Sequence, residues 1–286
     1  MKDIILNYVK NLDNLPALPE TSLSIMNALA DESTGLNEAV NIIKRDPSLV
    51  MRIMKVANSA KFGGTMKVTA LEVAAGRLGV NLLKQLALLD SVMNLFPEQK
   101  GGYDSRNFWE HSLCTASTAE LLLKRLASNP NLYLPKKLEC FTASLLHGVG
   151  MLILELGFSK STKSIVNYLQ EEGLTLLETE IQIIGISNPE CGEILCNYWQ
   201  LPETITSAVR WHLAPENSPE DSQSLCEIIY LAKSIALHQS INDSIFKPFS
   251  LKHKTEIFEK YGLNELSEEE IISMANQALE NSLSII

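Results

Sequence analysis

The chain lacks many of the features that advertise a protein's chemistry. Its five cysteines (Cys114, Cys140, Cys191, Cys196 and Cys226) are odd in number and form no Cys-x-x-Cys pair. That excludes a disulfide framework and the paired thiolates of a zinc ribbon, and leaves reduced thiols that act as small buried hydrophobes in a cytoplasmic protein. No run of about 18 apolar residues is free of charge, which argues against a membrane span. Neither a repeat of solenoid length nor a low-complexity linker occurs, so a solenoid array is excluded. Alternating strand patterns are scarce. The start, "MKDIILNYVKNLD", has an acid at position 3 and no cleavage-like segment, and reads as helix rather than signal peptide. The absence that matters most for chemistry is local: between Asp104 and Asp221 there is not one aspartate.

What is present is an ordinary globular composition. The 286 residues are 45% apolar and 20% charged, enough to bury a sizeable core in one large domain or two ordinary ones. The net charge of −10 is uneven. Residues 1–100 hold 11 basic and 10 acidic side chains, and residues 101–286 hold 13 and 24, so the later part carries the acidity. A face that acidic repels phosphate backbones, and nucleic acid is not an expected partner.

Helix signals recur along the whole chain. In "DPSLVMRIMKVANSA", Asp46 is an N-cap with Pro47 at the first helical position. "TALEVAAGRLG" has Thr69 and Glu72 at capping-box spacing, with Gly79 placed to stop one helix or begin the next. Pro135, Pro189 and Pro202 stand at helix starts, with Asn188 capping ahead of Pro189. "SEEEIISMANQALENSLSII" repeats the capping box with Ser267 and Glu270. The expectation is an all-α chain of a dozen or so helices. Two irregular stretches interrupt it, "FPEQKGGYDSRN" (96–107), a candidate subdomain boundary, and the polar loop "HLAPENSPEDSQ" (212–223).

Three histidines carry the candidate chemistry: His111 in "FWEHSLCTA", His147 in "FTASLLHGVGMLIL" and His212 in "AVRWHLAP". A helical metal phosphohydrolase needs histidines to hold a divalent ion, carboxylates to neutralise it and one open position for an activated water. The histidine positions could converge in a bundle. The carboxylates are missing, and beside His147 stands Gly148, which has no side chain. Glu110, Glu139, Glu178, Glu190 and Glu193 remain available for a differently built metal site. Residues 141–154 read as one central helix buried on both faces. Gly148 and Gly150 inside it cost about 1 kcal/mol each relative to alanine, tolerable where they let a neighbour approach closely.

Six segments in order then resemble a known family: "LPALPE" (15–20), "DPSLVMRIMKVANSAKFG" (46–63), "VTALEVAAGRLG" (68–79), "FWEHSLCTA" (108–116), "ASLLHGVGMLIL" (143–154) and "YWQLPETITSAVRWH" (198–212). Together they are similar to the HDOD domain, a helical output domain related to the HD phosphohydrolases, over roughly residues 10–240. The resemblance implies an HD-like multi-helix fold with an additional N-terminal helical subdomain (1–100), a degenerate HD-like core (101–240) and C-terminal helices that pack on it or form an interface (241–286). It also implies a cytoplasmic bacterial signal-transduction or regulatory domain without the full HD metal site. By that comparison Gly148 replaces the acid of the His-Asp pair, Asn188 stands where many members have histidine, and Trp211-His212 replaces a double histidine. His111 keeps its place.

The expectation is therefore a catalytically inactive regulatory module, with no metal or cofactor, that works by contact with another signalling or regulatory protein or by self-association. Its relic pocket comprises His111, His147, Gly148, Asn188, Trp211 and His212. The alternatives are a small-ligand or nucleotide sensor using that pocket, and a residual metal-dependent phosphohydrolase. A separate basic cluster, Lys44, Arg45, Arg52, Lys55, Lys61 and Lys67, contains Asp46 as its only acid. Arg52 and Lys55, three apart, would share a helix face. It reads as a solvated face or as a docking patch for an acidic partner, an anionic ligand or another protomer.

Overall fold

The computed structural model describes residues 7–9, 11, 15–18, 34–64, 66–98, 101–171, 175–237 and 255–283. Among these residues the regular structure is helical and contains no strand. Contacts divide the chain into two compact units, Met1–Pro16 with Glu98–Asn281, and Ala17–Pro97 with Ser282–Ile286. The divide at Pro97 falls inside the irregular stretch 96–107, while the first sixteen residues go with the later unit. Most of the expected N-terminal helix, and residues 241–254, lie outside the described residues.

The smaller unit contains α1 (Leu36–Ile43), α2 (Pro47–Ala57), α3 (Leu71–Leu78) and α4 (Val80–Met93). Asp46 caps α2 as expected, accepting from Ser48 N at 2.9 Å and Leu49 N at 3.2 Å. Gly79, at φ 79°, ends α3 and begins α4 in one residue, a conformation glycine adopts without steric cost. The expected capping box at Thr69 does not form. The N-cap of α3 is Ala70, and Glu72 turns instead to Lys44, 2.6 Å away. The loop after α2 is pinned by Asn58, whose amide donates to Val68 O and whose oxygen accepts from Val68 N, at 2.9 and 2.8 Å. Arg77 donates to Ala57 O and Met66 O, both at 3.0 Å, covering the carbonyl end of α2.

The larger unit contains α5 (Ser105–Leu126), α6 (Lys137–Leu146), α7 (Gly150–Glu171), α8 (Leu176–Ile183), α9 (Asn188–Tyr198), α10 (Glu203–Trp211), a 3-10 turn (Pro215–Asn217), α11 (Glu220–Ala236), α12 (Thr255–Lys260) and α13 (Glu268–Leu283). Helix α11 packs against α5, α6 and α10. Cys114 of α5, Ala236 of α11 and Ala278 of α13 form one buried cluster, so the last helix packs on this unit. The start of α13 carries the capping box expected at Ser267 and Glu270.

Residues 141–154 are not one continuous helix. α6 ends at Leu146 with His147 as its C-cap, and a turn leads to α7 at Gly150. The glycines therefore sit at a helix junction rather than inside a helix. A Cβ on Gly150 would overlap the Asn188 carbonyl oxygen and stand 2.7 Å from Gly192 N, so glycine is what lets α9 approach α7. By composition, the span 137–169 is apolar enough to cross a membrane, with mean hydropathy 1.5, but it is mostly buried within the protein. α7 is itself kinked at Phe158, where φ is −141° and ψ is 41°. Gly102 passes against Thr162 and Lys163, just beyond that kink.

Candidate functional site

The three histidines converge. His111 lies mid-way along α5, while His147 and His212 are the C-caps of α6 and α10. Their exposures are 0%, 2% and 0%. The His147 ring stands between the others, edge-on to His111 at 5.4 Å and to His212 at 5.0 Å between centroids. His147 Nδ1 lies 2.6 Å from Ser144 O and His212 Nδ1 lies 2.9 Å from Val209 O. A carbonyl oxygen only accepts, so both Nδ1 atoms carry the proton and donate, and each neutral ring keeps its lone pair on Nε2. Burial is the main force holding the rings neutral. It pushes His147 down to about 3, helped by the charge of Lys233. It holds His111 and His212 well below the usual range, His111 with help from His147 and Lys233, and His212 with help from Lys233 and His147.

The same unit holds a further set of charged side chains removed from solvent, of which the sequence shows little sign. Glu180 of α8 is buried and accepts three hydrogen bonds: Tyr103 OH on Oε1 at 2.8 Å, and Asn188 N and Nδ2 on Oε2 at 2.7 and 2.8 Å. Burial raises its carboxyl to about 7, against those bonds and the charge of Lys233. Glu155 of α7 is buried too, its Oε2 accepting from Tyr103 N at 2.9 Å and Thr162 Oγ1 at 2.5 Å. Lys233 projects from α11, the helix that packs on all three histidine-bearing helices. Burial pushes its amine down to about 8, with Glu180 opposing the shift. The only trace of Glu155 and Lys233 in the sequence is a single charge inside an apolar run, "MLILELGF" and "IIYLAKSIAL".

The remaining expected pocket residues are placed as follows. Asn188 is the first residue of α9 rather than its cap. Ser187 caps that helix in a reciprocal box with Glu190, and the Asn188 amide is committed to Glu180. Gly148 lies in the α6–α7 turn, and a Cβ there would stand 3.0 Å from the ring edge of Phe108 and 3.7 Å from Met151 sulfur. A side chain at 148 would thus press on the ring edge of Phe108, which would have to give by a few tenths of an ångström. Trp211 is only half-buried, stacked with the Arg210 guanidinium at 4.3 Å. Of the six residues, the three histidines form one buried group.

The residues do not fit a divalent ion of the HD type. Among the described residues, no group of three or more His, Cys, Asp or Glu side chains is placed to hold a metal ion. The glutamates available in sequence are engaged elsewhere. Glu110 pairs with Arg106 at 3.0 Å and Glu193 with Arg210 at 3.2 Å, Glu139 accepts from Thr204, and Glu178 and Glu190 close capping boxes with Thr175 and Ser187.

The basic cluster is partly neutralised by acids from other helices. Lys44 pairs with Glu72, and Arg52 leaves the face it would share with Lys55 to pair with Asp90 of α4 at 2.7 Å. Arg45, Lys55, Lys61 and Lys67 are exposed, as are Met51 (73%) and Met66 (76%).

Comparison with known proteins agrees with this architecture. The HDOD domain family matches residues 15–215. An HDOD domain protein of Geobacter sulfurreducens, whose function is unknown, superposes with TM-score 0.80 at 22% identity over 99% of this chain and 96% of that one. A protein of Marinobacter aquaeolei provisionally named for signal transduction gives TM-score 0.80 at 19% identity, covering 99% and 64%. One of Shewanella amazonensis provisionally named a phosphohydrolase gives 0.72 at 23%, covering 99% and 98%. These likenesses establish the fold. An uncharacterised protein of Treponema pallidum is 24% identical over 223 residues, 77% of this chain but 42% of its own length, so the chain spans less than half of that curated relative.

Proposed function

Because the chain belongs to the HDOD family, we propose that it is a regulatory module of signal transduction that works through protein contacts and does not hydrolyse phosphate esters. The observation that carries this reading is the state of the site at position 148. The acid that would share an ion with His147 is a glycine, and a Cβ in its place would stand 3.0 Å from the ring edge of Phe108. The buried carboxylate nearest in kind, Glu180, is committed to Tyr103 and Asn188 through both oxygens. A site of this composition offers imidazole lone pairs and an ammonium. It lacks the carboxylate that neutralises a metal and tunes its bound water.

The provisional names of the Marinobacter and Shewanella proteins describe the two competing readings, signalling and hydrolysis, and the donor set here favours the first. The expected partner is another signalling or regulatory protein, or a second copy of this chain. Arg45, Lys55, Lys61 and Lys67 beside Met51 and Met66 form the surface that suits an acidic, partly apolar partner. A small-ligand sensor is a second reading, supported by one observation: His212 Nε2, Ser112 Oγ and Thr115 Oγ1 are buried with no hydrogen-bond partner among the described residues.

The test is a turnover assay on phosphodiester, phosphomonoester and cyclic-dinucleotide substrates with added Mg2+, Mn2+ or Zn2+, run beside His147→Ala. Equal background rates in both proteins are expected. Metal-dependent turnover that His147→Ala abolishes would overturn the proposal, and a ligand-induced rise in melting temperature without turnover would favour the sensor.

A further inference from the structure

Two exposed faces of this chain, one basic and one acidic, have complementary chemistry. On α2, Met51, Lys55 and the C-cap Asn58 follow one another at four and three residues, so they form one stripe, opposite the buried Leu49, Ile53 and Val56. Asn58 receives the returning loop at the end of that stripe through its two hydrogen bonds with Val68, and Arg77 holds Met66 O. Met66 and Lys67 therefore lie beside Met51 and Lys55, and both methionines are largely in solvent. Among the described residues neither Lys55 nor Lys67 makes an ion pair. The second face is at the start of α13. Glu268 and Glu269 stand four and three residues before Ile272, so the three share a face, and Ile272 is 38% exposed. Both glutamates are exposed and, among the described residues, make no ion pair. Buried Ile271, Ala275 and Ala278 hold the other side of α13 in its own unit.

We infer that the Met51, Lys55, Met66 and Lys67 face of one copy docks on the Glu268, Glu269 and Ile272 face of a second copy of this chain. The inference rests on the protein-contact reading above and names the partner and the segment it presents. Each face combines exposed apolar surface with charge of one sign, and the two signs are opposite, so contact buries the apolar groups and pairs the charges at their rim. Methionine suits such a surface, because its flexible thioether adapts to an isoleucine without a preformed socket. The charge along the chain favours the same arrangement. Residues 1–100 carry +1 (11 basic, 10 acidic) and residues 101–286 carry −11 (13 basic, 24 acidic). Two copies meeting through their later parts would set like charges together, whereas setting the early part of one against the later part of the other avoids that repulsion. An anionic membrane would attract the same lysines but would repel the acidic remainder of the chain. Because the docking faces are unlike, the contact is heterologous: one copy offers the basic face and the next the acidic one.

The experiment is sedimentation velocity on the full chain across the micromolar range, at low and at high salt. The proteins are wild type, Lys55→Glu/Lys67→Glu and Glu268→Lys/Glu269→Lys. The expected wild-type mass rises with concentration above the 31.7 kDa of one chain at low salt and returns towards it at high salt. Each double variant alone stays at the mass of one chain. Mixed together they form a complex containing one copy of each, because each supplies the face that the other has lost. A wild type that remains a single chain throughout, an association that survives either reversal, or a mixture that does not associate overturns the inference. A wild type that stays a single chain but binds phosphatidylserine vesicles through Lys55 and Lys67 overturns it too, and assigns the face to a membrane. None of these results bears on hydrolysis, which the turnover assay decides separately. All four substituted side chains are exposed, and circular dichroism checks that the variants fold. Should lysines at the start of α13 unfold it, Glu268→Gln/Glu269→Gln is read in the same way.

Discussion

The pair of opposed ionisations at this site makes Glu180→Gln an informative perturbation. In the folded chain Glu180 holds its proton up to about pH 7, against a value of 4.5 when it is free. A folded value raised in this way stabilises the protein at low pH, and the contribution is lost as pH rises through about 7. The histidines act in the opposite sense. Their folded values lie below the free value of 6.5, so their contribution is present above 6.5 and is lost as pH falls. Between pH 7.5 and 5.5, the three neutral buried imidazoles together cost about 4 kcal/mol, while Glu180 returns about 2 kcal/mol. This network therefore loses about 2 kcal/mol on acidification in wild type and about 4 kcal/mol in Glu180→Gln. The glutamine can be accommodated, because its oxygen can accept from Asn188 and the Tyr103 hydroxyl can turn to accept from its amide. Any constant cost of the substitution appears at both pH values and cancels. Urea unfolding of both proteins at pH 7.5 and 5.5 measures the difference. Parallel pH dependences would refute the reasoning, because Glu180 would then be ionised in the fold at both values.

Two further outcomes are expected. Gly150→Ala should destabilise by about 3 kcal/mol or more, since its Cβ meets backbone at Asn188 and Gly192, whereas Gly76→Ala, with nothing within 4 Å, should gain about 1 kcal/mol; calorimetry on both variants checks the contrast. The five buried thiols, with Cys140 pushed up to about 12 by burial, should react with Ellman's reagent only in denaturant, and fast labelling of any of them in native buffer would contradict their placement.

What the sequence disclosed was whatever depends on neighbours a few residues apart. Asp46 with Pro47, and Ser267 with Glu270, cap their helices as the local pattern predicts, because nothing distant competes for those side chains. Thr69 and Glu72 have the same spacing and fail, because Lys44 from another helix takes Glu72. Asn188 fails for a related reason: Ser187 caps the helix, and the asparagine is drawn to Glu180, eight residues back. The break at 147–149 was hidden because the apolar pattern runs unbroken across it, and only the close approach of Asn188 and Gly192 to Gly150 shows why the chain turns there. At the site, the histidines could be picked out by type, but their convergence across separations of 36 and 65 residues belongs to the fold. Lys233 and Glu180 are single charges whose importance comes from what surrounds them in space.

The turn at His147 ties these observations together. The site is assembled from helix ends. α6 and α10 each end on a histidine, and each histidine donates to a carbonyl three residues back in its own last turn. Those carbonyls belong to the set that an α-helix leaves without an intrahelical donor, and here they are buried away from water. Removing either imidazole would leave a buried acceptor unpaired, at a cost of about 1–3 kcal/mol. The start of α9 is treated alike: the N–H of its first residue, Asn188, is satisfied by Glu180, and Gly150 makes the approach of that end sterically feasible. His147 and His212 thus have work in holding buried helix termini that needs no ion at all. That explains why a chain with glycine at 148 still keeps these two histidines buried in place: their imidazoles close the ends of the helices that carry them.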